Sequence, residues 1–167
     1  MTRLTLTTAL CLLPAFGIAQ SQVERMEEMS ENMNAMMVDM MVAEIEAAGG
    51  DATALREAEI NMPDWDDEMR SAASCVIDRY NDIAGEDAVN ETFDRIDALM
   101  AEMDGQTLEA FAEDETMETM LPDGISIEAS GQISQECGMM ALQMRDMQAS
   151  GLMQAMMEAG STVPDND

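Results

Sequence analysis

Apolar residues recur along this chain every three to four positions, and no stretch alternates apolar and polar residues as a half-buried strand does. Glycine and proline residues separate the apolar segments, at Gly49-Gly50, Pro63, Gly85, Gly105 and Pro122-Asp123-Gly124. The pattern predicts an all-α fold, a small bundle of about five to six helices within residues 20–160. Residues 161–167 are polar and predict a flexible tail.

Capping residues and glycines set the expected boundaries of the first three helices. The first helix ends near Gly49-Gly50, and Asp51 caps a short second helix that Pro63 closes. A third helix begins at Asp64 and ends at Gly85. We expect its core-facing side to consist of Trp65, Met69, Ala72, Ala73, Val76, Ile77, Tyr80 and Ile83.

The second half of the chain predicts three further helices. One ends at Gly105 and places these apolar residues on a single face: Val89, Phe93, Ile96, Met100 and Met103. A weaker helix runs from Thr107 towards Leu121. Ser126 caps a long last helix, which we expect to bend at Ser150-Gly151.

The first 19 residues are typical of a bacterial secretory signal peptide. Arg3 precedes an apolar segment, and Gly17 and Ala19 provide the small residues of a cleavage site. The segment is shorter than the roughly 20 apolar residues that span a bilayer, and Pro14 interrupts it. We therefore expect cleavage after Ala19, no membrane insertion of the mature chain, and a periplasmic or secreted location.

The mature chain is strongly acidic and has the length of one domain, about 100 to 150 residues. Residues 1–19 contain Arg3 and no acidic residue, so their loss leaves six arginines against 35 acidic residues, a formal charge of −29. This charge repels phosphate backbones and anionic lipids, which argues against nucleic-acid binding. It is compatible with cations, with a basic partner, or with solubility alone.

Cys75 and Cys137 are the only cysteines that remain once Cys11 leaves with the signal peptide. In an oxidising compartment, an even pair of cysteines ordinarily forms a disulfide. A structural zinc site is the alternative, but the chain has no histidine and no Cys-x-x-Cys spacing. We therefore predict a disulfide between Cys75 and Cys137.

The residue types present predict a protein without enzymatic activity. Without histidine and lysine, the chain has no Ser-His or Cys-His nucleophile, no Schiff-base lysine and no phosphate-binding-loop lysine. The acidic cluster Asp64, Asp66, Asp67 and Glu68 lacks the glycine and the closing glutamate of a calcium loop. Because the cluster lies at a predicted helix start, we interpret it as helix capping.

Methionine is the unusual component, with 21 residues that outnumber the leucines. A flexible core filling is one interpretation, since methionine adapts to irregular gaps. On the first helix, the methionines form one continuous face: Met26, Met29, Met33, Met36, Met37, Met40 and Met41. This face contains more thioether surface than one small core requires.

The predicted last helix is apolar on two sides. The side of Cys137 holds Ile133, Met140, Met144 and Met147, and we expect the disulfide to turn it inward. The opposite side holds Met139, Leu142, Met153 and Met157. A helix that is apolar on both sides must lie between other helices, contact another chain or leave thioethers exposed.

Three functions are compatible with these faces. The first is an adaptable hydrophobic contact surface for a second copy of the chain or for another exported protein. The second is binding of a soft monovalent ion, Cu(I) or Ag(I), because Met33, Met36, Met37 and Met40 have a spacing that can converge several sulfurs. The third is an oxidant sink, in which methionine is converted to its sulfoxide. No other cofactor is expected.

Overall fold

The computed structural model describes residues 21–102 and 118–162. Within these ranges the chain forms seven helices and no strand, which confirms the predicted all-α class. The helices are α1 (Gln22–Ala47), α2 (Thr53–Ile60), α3 (Asp67–Ala84), α4 (Glu86–Glu102), α5 (Ile127–Glu136), α6 (Met139–Ser150) and α7 (Leu152–Thr162).

Several predicted features lie outside the described residues. They are the signal peptide, Met103, the predicted helix from Thr107 up to residue 117, and the tail beyond Thr162. Of the helices that the structure does describe, none is long and apolar enough to cross a membrane.

Side-chain caps fix where the main helices begin. Ser21 starts α1 with a capping box, in which its hydroxyl accepts from the Glu24 amide and the Glu24 carboxylate accepts from the Ser21 amide. Ser126 caps α5 as predicted, by accepting from the Ala129 amide. The predicted start of α3 at Asp64 is wrong by three residues, because Asp66 is the residue that accepts from the first-turn amide of Met69.

Helix α1 is the longest element and contacts two different groups of helices. At 26 residues, it is about 39 Å long. Near its start, Val23, Met26 and Met29 pack against Ile77, Val89 and Phe93 of α3 and α4. Near its end, α1 contributes to a second core cluster with α2 and α7: Val38, Val42, Ile45, Ala52, Leu55, Ala58, Leu152 and Ala155.

A third core cluster connects α3 to α5 and α6. It consists of Trp65, Met69, Ala72, Ala73, Val76, Ile133 and Met139. The predicted disulfide between Cys75 and Cys137 is present at the edge of this cluster, with the two Cα atoms 5.7 Å apart. It closes a loop of 62 residues, which corresponds to about 4 kcal/mol of stabilisation in the chain-entropy model.

The six arginines of the described ranges each join two different elements. The shortest contacts between elements are 2.6 Å for Arg70 of α3 with Glu27 of α1, and 2.8 Å both for Arg25 of α1 with Asp94 of α4 and for Arg145 of α6 with Asp66 before α3. The remaining pairs are Arg56 with Glu46, Arg79 with Glu136, Arg95 with Asp123, and Arg145 with both Asp66 and Glu68. Five of these six arginines therefore pair with a carboxylate of another helix or of its cap, and Arg95 pairs with the turn residue Asp123.

The predicted single last helix is instead three helices, α5 to α7. The predicted bend at Gly151 is present, since this residue has a φ of +81° and ends α6. A second break was not predicted: Cys137 ends α5, and Gly138 has a left-handed φ of +78° before α6 begins. Glycine adopts this backbone conformation without the steric cost that a Cβ atom adds.

The break predicts opposite effects for two glycine-to-alanine substitutions. Gly138→Ala should lower the free energy of unfolding by about 1 to 2 kcal/mol, because alanine is strained at a left-handed φ. Gly131→Ala, inside α5, should raise it by roughly 0.5 to 1 kcal/mol, because its φ is ordinary and no atom lies within 4 Å of the added Cβ. Denaturant unfolding of the disulfide-bonded protein measures both values. Equal signs for the two variants would contradict this account of the break.

Candidate functional site

Most methionines of this protein lie between helices and do not form an open surface. Of the 18 methionines in the described ranges, three are buried, four are exposed and eleven are half-buried. The exposed ones are Met140, Met144, Met156 and Met157. The structure therefore assigns much of the thioether content to packing.

The methionine face of α1 points towards neighbouring helices, and none of its seven members is exposed. Met26 and Met29 pack against the core of α3 and α4, and Met41 packs against the core of α2 and α7. The other four pack with one another. The face thus contacts three different regions of the bundle along the length of α1.

Met33, Met36, Met37 and Met40 come together as their spacing predicted, and they gain a fifth methionine. Met40 is buried at 8% exposure, and the residues packed against it are Met33, Met36, Met37, Leu99 and Met120. We call the five methionines of this group the thioether cluster. Leu99 is the other apolar side chain that packs in this group.

The inward and outward faces predicted for the last helix are wrong at four positions, one of which is Leu142, predicted to face outward but packed against the core of α3. Met139, predicted to face outward, is buried at 2% exposure, whereas Met140 and Met144, predicted to face inward, are each 47% exposed. The cause is Gly138, which breaks the helix and rotates the faces of α6 relative to those of α5. Met153 is half-buried and Met157 is 68% exposed, so only Met157 of the named outward set lies on an open surface.

A pocket of about 240 Å³ lies between α1, α3, α6 and the segment before α3. We call it the tryptophan pocket because Trp65, the only tryptophan of the chain, contributes to its wall. Its apolar lining consists of Met37, Met62, Pro63, Trp65, Met69 and Met147. Its polar lining consists of Ser30, Asn34, Gln143 and Asp146. Met37 belongs both to this pocket and to the thioether cluster.

Asp146 gives the tryptophan pocket a buried carboxylate. The residue is 7% exposed, and its Oδ1 accepts from Arg145 Nε at 2.7 Å. The same guanidinium donates to Asp66 at 2.8 Å and to Glu68 at 3.2 Å. The hydrogen bond with Asp146, assisted by Asp66, raises the pKa of Arg145. One arginine therefore faces three carboxylates, so this group of side chains has a net negative charge.

The pocket residues were not predicted from the sequence as a group. Their pattern spans three helices and a connecting segment, and periodicity describes one helix at a time. A signal was nevertheless present in Arg145-Asp146, a charged pair within an otherwise methionine-rich helix. Charged residues are rarely buried unless they are paired, and such a pair between apolar turns indicates a contact with another element.

The acidic cluster before α3 acts as a cap, as its position suggested. The Met69 amide donates to Asp66 Oδ1 at 2.8 Å, and this bond, with help from Arg145, lowers the pKa of Asp66 below its ordinary value of 3.8. Among the residues that the structure describes, no group of three or more histidine, cysteine, aspartate or glutamate side chains is arranged to hold a metal ion.

The cap predicts a pH-dependent stability difference between two neighbouring aspartates. Asp66→Ala should lower the denaturant midpoint at pH 7, whereas Asp64→Ala, which removes no cap, should lower it less. Because the folded-state pKa of Asp66 is depressed, its contribution is complete above 3.8 and disappears as the pH falls through the lower folded-state pKa. Unfolding curves between pH 7 and pH 3 test this. If the difference in denaturant midpoint between the wild type and Asp66→Ala does not shrink towards pH 3, the assignment of the cap to Asp66 is wrong.

Comparisons with known proteins gave no relative for this chain. No family model, no curated protein and no solved structure matched it. The features of this chain that can carry a function are its exposed methionines, the thioether cluster and the tryptophan pocket.

Proposed function

We propose that this chain is an exported binding protein without enzymatic activity, which uses exposed methionines as an adaptable contact surface. The observation that carries the proposal is the exposure of Met140 and Met144 on α6 and of Met156 and Met157 on α7, between 41% and 68%. Unbranched, polarizable thioethers repack against differently shaped partners more easily than branched side chains do.

The charge of the chain indicates the chemistry of the partner. The six arginines of the described ranges are already paired with carboxylates between helices, and the mature chain has a net charge of −29. A second copy would be repelled by this charge, whereas a basic partner would be attracted. We therefore propose a basic, amphipathic segment of another exported protein as the partner.

A second function, binding of Cu(I) or Ag(I), is favoured by the thioether cluster. Thioethers select soft monovalent ions, and five of them pack together around Met40. The two cysteines are joined in a disulfide and offer no competing thiolate. Binding of a soft ion would therefore depend on methionine sulfur alone.

The contact proposal predicts binding of a synthetic basic amphipathic helix made of lysine and leucine. Replacing the four exposed methionines (Met140, Met144, Met156 and Met157) by glutamine should weaken this binding about tenfold or more, because it removes apolar contact area. Replacing them by leucine should change it less than about threefold. Isothermal titration calorimetry at fixed salt gives both affinities.

Ile83→Gln provides the matched control for this experiment. Ile83 is 56% exposed on α3, so its replacement removes exposed apolar area from a different helix. It should leave the affinity for the peptide unchanged. The contact proposal is wrong if the wild type and the fourfold glutamine variant bind the peptide with equal affinity. It is also wrong if a lysine-serine peptide of the same charge binds the wild type as tightly as the lysine-leucine peptide does.

The metal proposal predicts that the oxidised protein retains at least one Ag(I) against a competing chelator at micromolar concentration. Met33→Leu, Met36→Leu, Met37→Leu and Met40→Leu together should abolish retention, because leucine preserves apolar volume and removes the sulfur. Leucine at the four exposed methionines should leave retention intact. Native mass spectrometry measures the stoichiometry. Ion retention by the cluster variant equal to that of the wild type would rule out the cluster as the site.

A further inference from the structure

We propose that the tryptophan pocket binds a small organic cation of the quaternary ammonium class. The pocket is distinct from the exposed methionines, and its volume of about 240 Å³ is below the roughly 300 to 1,000 Å³ typical of sites for drug-sized ligands. A ligand with a single compact head group fits this space, whereas a nucleotide or a peptide does not.

The sign of the ligand's charge follows from the groups around Asp146. Asp146 lines the pocket at 7% exposure, while Arg145 is not part of the lining. The Arg145 guanidinium is also 2.8 Å from Asp66 and 3.2 Å from Glu68, so its positive charge is shared by three carboxylates. Of the two carboxylate oxygens of Asp146, Oδ1 accepts a hydrogen bond from Arg145, and Oδ2 accepts none from the described residues. A cation entering the pocket would compensate part of the remaining negative charge.

The apolar wall favours a methylated cation over a primary ammonium ion. Trp65 supplies an indole ring, and Met37, Met62, Met69 and Met147 supply polarizable thioethers. A primary ammonium needs three good acceptors, and thioether sulfur is a weak one. A quaternary ammonium needs none, because its charge is spread over methyl groups that contact aromatic faces favourably.

The polar side chains of the pocket can form hydrogen bonds with a polar group attached to the cationic head. Ser30 and Asn34 lie one turn apart on α1, and Gln143 lies on α6 one turn before Met147. These side chains offer both donors and acceptors. A hydroxyl group attached to the cationic head by a short link would find hydrogen-bond partners here.

Trp65 allows a direct test with the intact oxidised protein. It is the only tryptophan, so its fluorescence reports on the pocket without a label. Choline chloride should change this emission with a saturable curve, half-complete below roughly 10 mM, given the affinity that a ligand of so few atoms can reach. Its uncharged carbon isostere, 3,3-dimethyl-1-butanol, should bind at least about tenfold more weakly. Sodium chloride at equal concentrations corrects for ionic strength.

Two variants test whether choline binding depends on the Asp146 carboxylate. Asp146→Asn should weaken choline binding about tenfold or more, because it removes the buried charge. Glu68→Gln removes a different partner of Arg145 that does not line the pocket, and should change the affinity less than about twofold. The proposal is overturned if choline gives no saturable change, if the neutral isostere binds equally well, or if Asp146→Asn and Glu68→Gln behave alike. If the variants do not fold, the comparison of choline with 3,3-dimethyl-1-butanol on the wild-type protein still tests the proposal.

Discussion

Electrostatic repulsion between acidic helices is the constraint that the rest of this structure must satisfy. Seven arginines oppose 35 acidic residues in the chain, so most carboxylates have no cation of their own. The arginines lie between elements, where one guanidinium reduces repulsion on two helices at once. Arg145 shows this most clearly, because it holds the start of α3 against α6 through Asp66 and Glu68, while it also pairs with Asp146 of its own helix. Exposed pairs each contribute little, about 0 to 1 kcal/mol, so apolar packing and the disulfide supply the main stabilisation.

The sequence was sufficient to predict features that depend on local spacing. The three-to-four-residue periodicity gave the all-α class, and Ser126 and Gly85 marked helix ends. An even pair of cysteines outside the predicted signal peptide predicted the disulfide. Ile83 shows the limit of periodicity. It has the spacing of the core residues of α3, but it lies in the last turn of the helix and is 56% exposed.

The spacing of the methionines did not predict which of them are buried and which are exposed. Met139 and Met140 are neighbours of the same type, yet one is 2% and the other 47% exposed. Their orientation depends on a single left-handed glycine, and glycine occurs in helices as well as at their ends, so Gly138 alone did not reveal a break. The thioether cluster was predictable in part, since four of its members share α1, whereas Met120 joins them from a distant part of the chain. The tryptophan pocket depends on contacts among several elements and was not predictable.

The exclusive use of arginine has a consequence for the range of conditions that the fold tolerates. A lysine loses its charge near pH 10.4, whereas a guanidinium stays charged at any pH at which proteins are handled. Tyr80 adds to this resistance, because burial raises its pKa, although its hydrogen bond with Ser130 opposes the shift. In the ion pairs between helices, both partners therefore stay charged in alkali, and the attraction is lost only as the carboxylates are protonated. These ion pairs are therefore lost only towards acid, where protonation of the carboxylates also relieves the repulsion between the acidic helices.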